Sequence, residues 1–175
     1  MASRKTARRL PAPARSLEEN AYIALLRTAD GLQIRLATWL KPHGISPTQY
    51  NALRILRGAG PDGLPCTQIG ERMFTHDPDI TRLLDRLEKR KLVVRSRDSK
   101  DRRVVRARIT SEGLDLLAEL DRPLREFVKQ LLGAARAEEL LPLLKTCEAL
   151  TALAHPPQDC EGTAASLAKR HPALA

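Results

Sequence analysis

Apolar residues recur at helical spacing along most of this chain. From Leu17 to Leu40 they alternate in steps of three and four, at Tyr22, Leu25, Ala29, Leu32, Leu36 and Trp39. Such a seam is typical of a helix that packs against another helix. A second helix is predicted over about residues 47–57, because Ser46 followed by Pro47 is a favourable helix start. A short third helix is predicted over residues 66–73.

A fourth helix is predicted to begin at Asp77 and Pro78, which repeat this arrangement of cap and proline. Its apolar stripe has the spacing i, i+3, i+4, i+7 and consists of Ile80, Leu83, Leu84 and Leu87. The opposite face carries Pro78, Arg82, Asp85, Arg86 and Lys89, with Thr81 on its flank. Apart from the proline, this face has no apolar residue, so the core does not need it.

The hydrophobic period then changes to two, which is typical of half-buried strands. Residues 92–94 form a short apolar run, a charged turn follows, and residues 104–109 alternate. One face of the alternating segment consists of Val105, Ala107 and Ile109, and the other of Arg106 and Arg108. We therefore predict a two-stranded hairpin. Its tip carries Arg97, Lys100, Arg102 and Arg103.

Two more helices are predicted after the hairpin. Thr110 can cap a fifth helix, and Pro123 within that helix should kink or divide it. A sixth helix is predicted over about residues 138–153. Residues 1–16 are basic and interrupted by prolines, which predicts a flexible arm, and residues 154–175 are predicted to be a tail.

Positive charge is concentrated in two segments of a chain whose net charge is +9. Residues 90–108 contain nine Lys or Arg and two Asp, and the first 15 residues contain five basic residues and no acid. The rest of the chain is therefore mildly acidic. Arginines gathered on one protruding hairpin indicate a polyanionic partner, for which nucleic acid is the best candidate. A solvated hairpin and a disordered basic tail are the alternatives.

The composition is that of a globular chain with a helical core. Of the 175 residues, 42% are hydrophobic but only 3% are aromatic, so the core must consist mostly of Leu, Ile, Val and Ala. No apolar run is long enough to span a membrane, and no secretory signal follows the basic N-terminus. The three scattered cysteines have no metal-ligand spacing and indicate a reducing cytoplasm. The chain has no phosphate loop, nucleophile elbow or catalytic triad pattern, so we expect no catalysis and no cofactor.

The order helix, helix, short helix, helix, basic hairpin is that of a winged helix-turn-helix. In this fold the recognition helix enters the major groove, about 12 Å wide, while the hairpin reaches phosphates or the minor groove. We expect Arg82 to contact a base or a phosphate and Arg86 to contact the DNA backbone. Asp79 is either a partner of the helix dipole or a specificity element that accepts from cytosine, with Asp77 as the cap. The predicted DNA-contacting residues are Pro78, Asp79, Thr81, Arg82, Arg86, Arg97, Lys100, Arg102 and Arg103.

The segment TRLLDRLEKRKLVVRSRDSKDRRVVRARITSEG resembles the signature of the MarR family of bacterial transcriptional regulators. The family pattern is V-T-R-L-x-D-R-L-E, then G-L-V, then a D-x-x-D-x-R wing that ends in L-T-x-x-G. The matching residues are Ile80, Thr81, Arg82, Leu83, Asp85, Arg86, Leu87, Glu88, Leu92, Val93, Asp98, Asp101, Arg103, Ile109, Thr110 and Gly113. The resemblance extends over roughly residues 17–153. Lys91 departs from the pattern, because the family usually has a glycine there to close the helix. Either Lys91 is strained or the helix ends differently.

The resemblance implies a fold that is mainly α with a small two-stranded β-wing, a winged helix-turn-helix plus a helical dimerisation region. Residues 45–109 would form the DNA-binding lobe of the domain 17–153, and residues 17–41 and 110–153 would form the dimerisation helices. The resemblance also implies an obligate homodimer on a pseudo-palindromic DNA operator. Independently, the predicted dimerisation helices carry more apolar surface than a monomer could bury. We therefore expect a cytoplasmic regulator, with repression favoured over activation.

Family resemblance further implies a small effector, commonly a phenol or an aromatic carboxylate. The candidate ligand residues are Trp39, His43, Tyr50 and Arg54, with core aromatics and a surface arginine as the alternative. A redox-sensing regulator is a second alternative, since Cys66 lies near a helix N-terminus, although the oxidant-sensing branch uses a cysteine in the first helix and this chain has none there. A winged helix that binds another protein is the third. The four histidines lie far apart and predict no metal site.

Overall fold

The computed structural model describes residues 15–73, 79–98 and 101–154. These residues form six α-helices, one short 3-10 helix and one small sheet. The elements are α1 (Leu17–Leu40), the 3-10 helix (Lys41–His43), α2 (Pro47–Ala59), β1 (Leu64–Pro65), α3 (Cys66–Glu71), α4 (Ile80–Lys89), β2 (Val93–Arg97), β3 (Val105–Ile109), α5 (Ser111–Leu132) and α6 (Ala137–Ala154). The predicted fold class is confirmed. No helix among the described residues is long and apolar enough to cross a membrane.

Side-chain caps determine where α1 and α2 begin. The Ser16 hydroxyl accepts a hydrogen bond from the Glu19 N–H, and the Glu19 carboxylate accepts one from the Ser16 N–H. Ser46 and Gln49 form the same reciprocal pair at the start of α2, with Pro47 in the first turn. These pairs satisfy N–H groups that have no partner inside the helix. The predicted extent of α1 and start of α2 are confirmed.

Three elements differ from the prediction made from the sequence. The N-cap of α4 is Asp79, so the assignment of the cap to Asp77 is wrong; the Asp79 carboxylate is the group that accepts the free Arg82 N–H. Pro123 does not divide α5, because it removes only one donor and the turns on either side continue. α3 ends at Glu71, two residues earlier than predicted.

The sheet is antiparallel and has the strand order β1-β3-β2. β2 and β3 form the predicted hairpin, with a register that runs from Val93 opposite Ile109 to Arg97 opposite Val105. β1 adds a third strand that the sequence did not predict, because two residues are too few to show a period. It places Leu64 opposite Ala107. The middle of β3 is thereby attached to the segment that precedes α3.

The described residues divide into two compact units, with the boundary between Leu120 and Asp121. The first unit contains a core of fully buried side chains from α2, α3, α4, α5 and β2: Leu53, Leu56, Ile69, Leu84, Leu87, Val93, Leu117 and Leu120. In the second unit, α6 has no buried residue. The first unit also contains α1, where only Leu40 is buried. The assignment of residues 17–41 and 110–153 to dimerisation stays a prediction.

Lys91 ends α4 in the left-handed conformation that the family's glycine would adopt. Its φ is 58°, the only positive φ of a non-glycine residue in the described part of the chain. The Lys91 N–H donates to the Glu88 carbonyl at 2.8 Å, and the Leu92 N–H donates to the Leu87 carbonyl at 3.0 Å. This pair of bonds is a Schellman motif, and Leu87 and Leu92 are both buried, as its hydrophobic contact requires. Of the two expectations for Lys91, the strained one is confirmed.

The substitution Lys91→Gly should stabilise the protein by about 1 kcal/mol, because glycine reaches φ > 0 without the steric cost of a Cβ. For a domain of this size, that gain corresponds to a rise in Tm of roughly 2–4 °C. Thermal unfolding followed by circular dichroism measures it. Lys91→Ala is the matched control, since it removes the same charge and keeps the Cβ. A Tm for Lys91→Gly no higher than that of Lys91→Ala would contradict the assignment of strain.

Candidate nucleic-acid interface

The helix α4 separates a buried apolar face from an exposed polar face. Leu83, Leu84 and Leu87 are buried in the core, as predicted. The predicted contact residues Thr81, Arg82 and Arg86 are exposed, and Lys89 lies on the same side of the helix. The core therefore orients α4 so that its charged side chains point into solvent. Pro78, also predicted at this surface, lies outside the described residues.

The first turn of α4 contains a close pair between an acid and an arginine. The Asp79 carboxylate accepts the Arg82 backbone N–H at 3.0 Å through Oδ1 and pairs with the Arg82 guanidinium at 2.9 Å between Oδ2 and Nε. The Arg82 side chain is nevertheless 77% exposed. Asp79 therefore caps the helix and holds an exposed arginine of α4 at the same time.

An arginine on the wing is tied to α4 by two carboxylates. Arg95 of β2 donates from Nε and Nη2 to Glu88 at 2.9 and 2.6 Å, and its backbone N–H donates to Glu88 at 2.9 Å. Its Nη2 also pairs with Asp85 at 2.5 Å. The hydrogen bonds from Arg95 lower the pKa of Glu88, and the bond to Glu88 raises the pKa of Arg95. This cluster connects the recognition helix to the wing.

The turn of the wing is closed by Asp98 and Asp101. Arg106 donates to the Asp98 carboxylate at 3.2 Å and to the backbone carbonyls of Asp62 and Gly63. The Asp101 carboxylate accepts the backbone N–H of Arg103 at 2.9 Å. Because that bond uses the main chain of Arg103, it does not occupy the guanidinium. Asp98 and Asp101 therefore stabilise the turn of the wing through Arg106 and the backbone of Arg103, and the tip of the wing stays positively charged.

Three of the nine basic residues between positions 90 and 108 have structural partners that the sequence did not predict. Arg95 and Arg106 form the ion pairs described above. Arg90 donates to the carbonyls of His43 and Gly44 at the end of the 3-10 helix. A count of basic residues cannot separate these from cations that are free to bind a ligand, because the partners lie outside the helix or strand that carries each arginine.

The arginines predicted at the wing tip are exposed. Arg97, Arg102 and Arg103 have no ion pair with any residue that the structure describes. Lys100, the fourth predicted residue of the tip, lies outside the described residues. Arg82 and Arg86 lie on the face of α4 that the core does not cover, and together with the arginines of the wing tip they give this unit an exposed basic surface. Such a surface attracts the phosphates of a nucleic acid.

The four predicted ligand residues form two pairs. The rings of Trp39 and His43 lie 5.4 Å apart at 40°, and the Arg54 guanidinium carbon lies 6.0 Å from the Tyr50 ring centre. Tyr50 is buried, and its hydroxyl has no hydrogen-bond partner among the described residues. A surface concavity of about 450 Å³ nearby is lined by Ala37, Thr38, Lys41, Gly44, Ile45, Ser46 and Pro47. None of the four predicted residues lines it.

The environment of Cys66 does not activate its thiol. The side chain is half-buried, and burial raises its pKa, although Arg95 acts in the opposite direction. A raised pKa lowers the fraction of thiolate, which is the reactive form. The predicted influence of the helix N-terminus is thus outweighed, which counts against redox sensing through Cys66. Among the described residues no group of His, Cys, Asp and Glu could hold a metal ion.

Comparison with known proteins identifies the family. A sequence profile of the MarR family matches residues 43–104, from the end of the 3-10 helix into the wing. The HTH-type transcriptional regulator MhqR of Bacillus subtilis (strain 168) is 31% identical over 99 residues, which are 57% of this chain and 67% of MhqR. The crystal structure of a MarR transcription factor from Planctomyces limnophilus is 39% identical, with a TM-score of 0.61, and the match covers 78% of this chain and 99% of that one.

A third relative was solved with a small aromatic acid. NadR in complex with 4-hydroxyphenylacetate is 27% identical with a TM-score of 0.63, and the match covers 79% of this chain and 97% of NadR. The residues that the family profile matches include the predicted recognition helix and the first strand of the wing, β2. The chain therefore belongs to the MarR family of DNA-binding transcriptional regulators, and it is not an enzyme.

Proposed function

We propose that the protein is a homodimeric repressor that binds a pseudo-palindromic operator through α4 and the wing. The observation that carries this proposal is the exposed polar face of α4, with Arg82 and Arg86, in the same unit as the arginines of the wing tip. A recognition helix of this kind reads base edges in the major groove, while arginines on a wing contact phosphates or the minor groove. Repression is the simplest outcome, because a dimer on a promoter blocks it without any further contact.

The apolar surface of the helices outside the core supports a dimer. On α1, Tyr22 is 64% exposed, and the other residues of the predicted seam are half-buried or exposed. On α6, the large apolar side chains Leu141, Leu143, Leu144, Leu150 and Leu153 are exposed. A folded monomer rarely exposes this much apolar surface on two helices, whereas a homodimer buries it.

A footprint of the purified protein on the DNA upstream of its own gene tests this function. At low salt we expect a protected site with two-fold symmetry, whose half-sites lie about one helical turn (~34 Å) apart. Raising the salt concentration should weaken protection steeply, because phosphate contacts release counterions. If genomic DNA yields no protected site and binding does not depend on salt, the chain is instead a winged helix that binds another protein.

We further propose that a small aromatic acid releases the protein from DNA, with Trp39, His43, Tyr50 and Arg54 as its binding residues. NadR, which binds 4-hydroxyphenylacetate, supports the class of ligand. The Tyr50 hydroxyl is buried and has no hydrogen-bond partner among the described residues. This supports a polar ligand group near Tyr50, because buried hydroxyls are normally hydrogen-bonded. Titration with 4-hydroxyphenylacetate should change the fluorescence of Trp39, the only tryptophan of the chain. An unchanged spectrum would remove Trp39 from this site.

A further inference from the structure

The Asp79–Arg82 pair presents one defined edge of the arginine to solvent. Asp79 holds the guanidinium through Nε at 2.9 Å. A guanidinium has five N–H donors, and the edge formed by its two terminal nitrogens carries two that point in parallel. With Nε occupied by the carboxylate, that outer edge remains for a ligand. The 77% exposure of the Arg82 side chain shows that the fold does not cover it.

Guanine has the complementary edge in the major groove. Its O6 and N7 are adjacent acceptors, and bidentate contact from arginine is the commonest specific contact between proteins and DNA. Adenine presents one acceptor and one donor at the same positions, so one of the two contacts is lost and replaced by a clash of donors. An arginine that is already oriented loses less side-chain freedom on binding than a free one.

The Asp79 carboxylate also makes Arg82 better suited to contact a base than to contact a phosphate. A carboxylate next to an arginine partly cancels its charge, which weakens attraction to a phosphate but leaves the geometry of its hydrogen bonds intact. Arg86, which has no acidic partner among the residues that the structure describes, fits a phosphate contact better. The two arginines on the exposed face of α4 thus differ in what surrounds them.

We infer that Asp79 is a positioning residue for base recognition, which holds Arg82 so that its outer edge selects guanine in the major groove. This inference rests on the proposed binding of operator DNA through α4. It replaces the earlier alternative in which Asp79 itself accepts from cytosine, because the carboxylate is already engaged by Arg82.

The test uses the full-length protein and a pool of duplexes with 20 randomised base pairs, which are selected by binding and then sequenced. The variants are Asp79→Asn, Arg82→Ala and the double substitution. Asparagine caps a helix as well as aspartate, so Asp79→Asn keeps the start of α4 and removes the ion pair. Asp101→Asn is the matched control, because it removes an equal charge from the wing, where the carboxylate also accepts a backbone N–H.

The unmodified protein is expected to enrich guanine at one position of each half-site. Asp79→Asn should lower that enrichment about ten-fold and leave the other positions unchanged, and Arg82→Ala should abolish it. In the Arg82→Ala background, Asp79→Asn should change nothing further, and Asp101→Asn should leave the base preference intact. This pattern would not arise from a general loss of stability.

Two results would overturn the inference alone: a base preference for Asp79→Asn equal to that of the unmodified protein, or an effect of Asp79→Asn that persists in the Arg82→Ala background. The second result would mean that Asp79 contacts a base itself. A pool from which the unmodified protein selects no sequence would instead overturn the proposed function.

Discussion

Replacement of Arg97, Arg102 and Arg103 together by alanine is expected to lower the affinity for operator DNA at least about 500-fold at about 0.1 M salt. Each phosphate contact contributes about 0.9 to the slope of log K against log [salt], and therefore about 0.9 decades of affinity at that salt concentration. Three contacts on one wing account for about 2.7 decades, and a dimer has two wings. The three side chains are exposed and make no ion pair with described residues, so their loss should leave the fold intact.

Fluorescence anisotropy of a labelled operator, measured at several salt concentrations, gives both the affinity and the slope. The magnitude of the slope should fall by at least about 2.7. The matched control replaces three exposed basic residues of α5, Arg122, Arg125 and Lys129, by alanine, which removes the same charge from the other compact unit. Because α5 belongs to the predicted dimerisation region, sedimentation equilibrium first establishes that this variant has the same mass as the unmodified protein. If the control weakens binding as much as the wing variant does, the effect comes from net charge, and the wing tip makes no specific contact with phosphates.

The sequence predicts those features of this protein that depend on neighbours along the chain. Helix α1 follows from its apolar spacing and the start of α2 from Ser46 and Pro47, because caps and periodicity act over a few residues. The same holds for the exposed face of α4, since a stripe of leucines determines which side chains point away from the core. The hairpin follows from its period of two.

The pairing of charges was not predictable in the same way. Arg95 and Arg97 are two residues apart on one strand; the sequence placed Arg97 at the tip of the hairpin, but it predicted no partner for Arg95. In the structure Arg95 lies against Glu88 and Asp85, while Arg97 lies at the free end of the strand. Which arginine is neutralised depends on how the strand packs on α4, a contact between elements. The nine basic residues counted from the sequence between positions 90 and 108 therefore include arginines that have structural partners.

The start of α4 shows a second limit. Asp77 with Pro78 and Asp79 with Ile80 are both acceptable helix starts by local rules, and the sequence favours the first because proline is common in the first turn of a helix. The structure selects Asp79, whose carboxylate also reaches the guanidinium of Arg82. The cap and the ion pair support each other, and only the first of them has a sequence signature. Asp79 is one of the predicted DNA-contacting residues. In the structure its carboxylate caps α4 and pairs with Arg82.

The double substitution Leu143→Glu and Leu150→Glu is expected to convert the proposed dimer into a folded monomer and to lower operator affinity at least 100-fold. The two leucines are seven residues apart on one face of α6 and are 48% and 43% exposed, so the protomer's own core does not depend on them. Burial of four carboxylates in a symmetric interface is far more costly than their exposure in a monomer. Without the dimer, two half-sites bind independently, and the gain of about 10²–10⁴ from linked binding is lost.

Sedimentation equilibrium should show the mass of the variant halved, while circular dichroism shows unchanged helix content. Ala149→Glu with Ala152→Glu is the matched control, because it adds the same two charges to α6 away from the line of Leu143 and Leu150, at two exposed alanines. This control should remain dimeric and bind the operator as the unmodified protein does. If instead the leucine variant stays dimeric, α6 does not form the dimer interface, and the exposed apolar residues of α1 are the alternative interface. If it becomes monomeric but keeps its affinity, each protomer reads DNA alone and the operator has no need of two-fold symmetry.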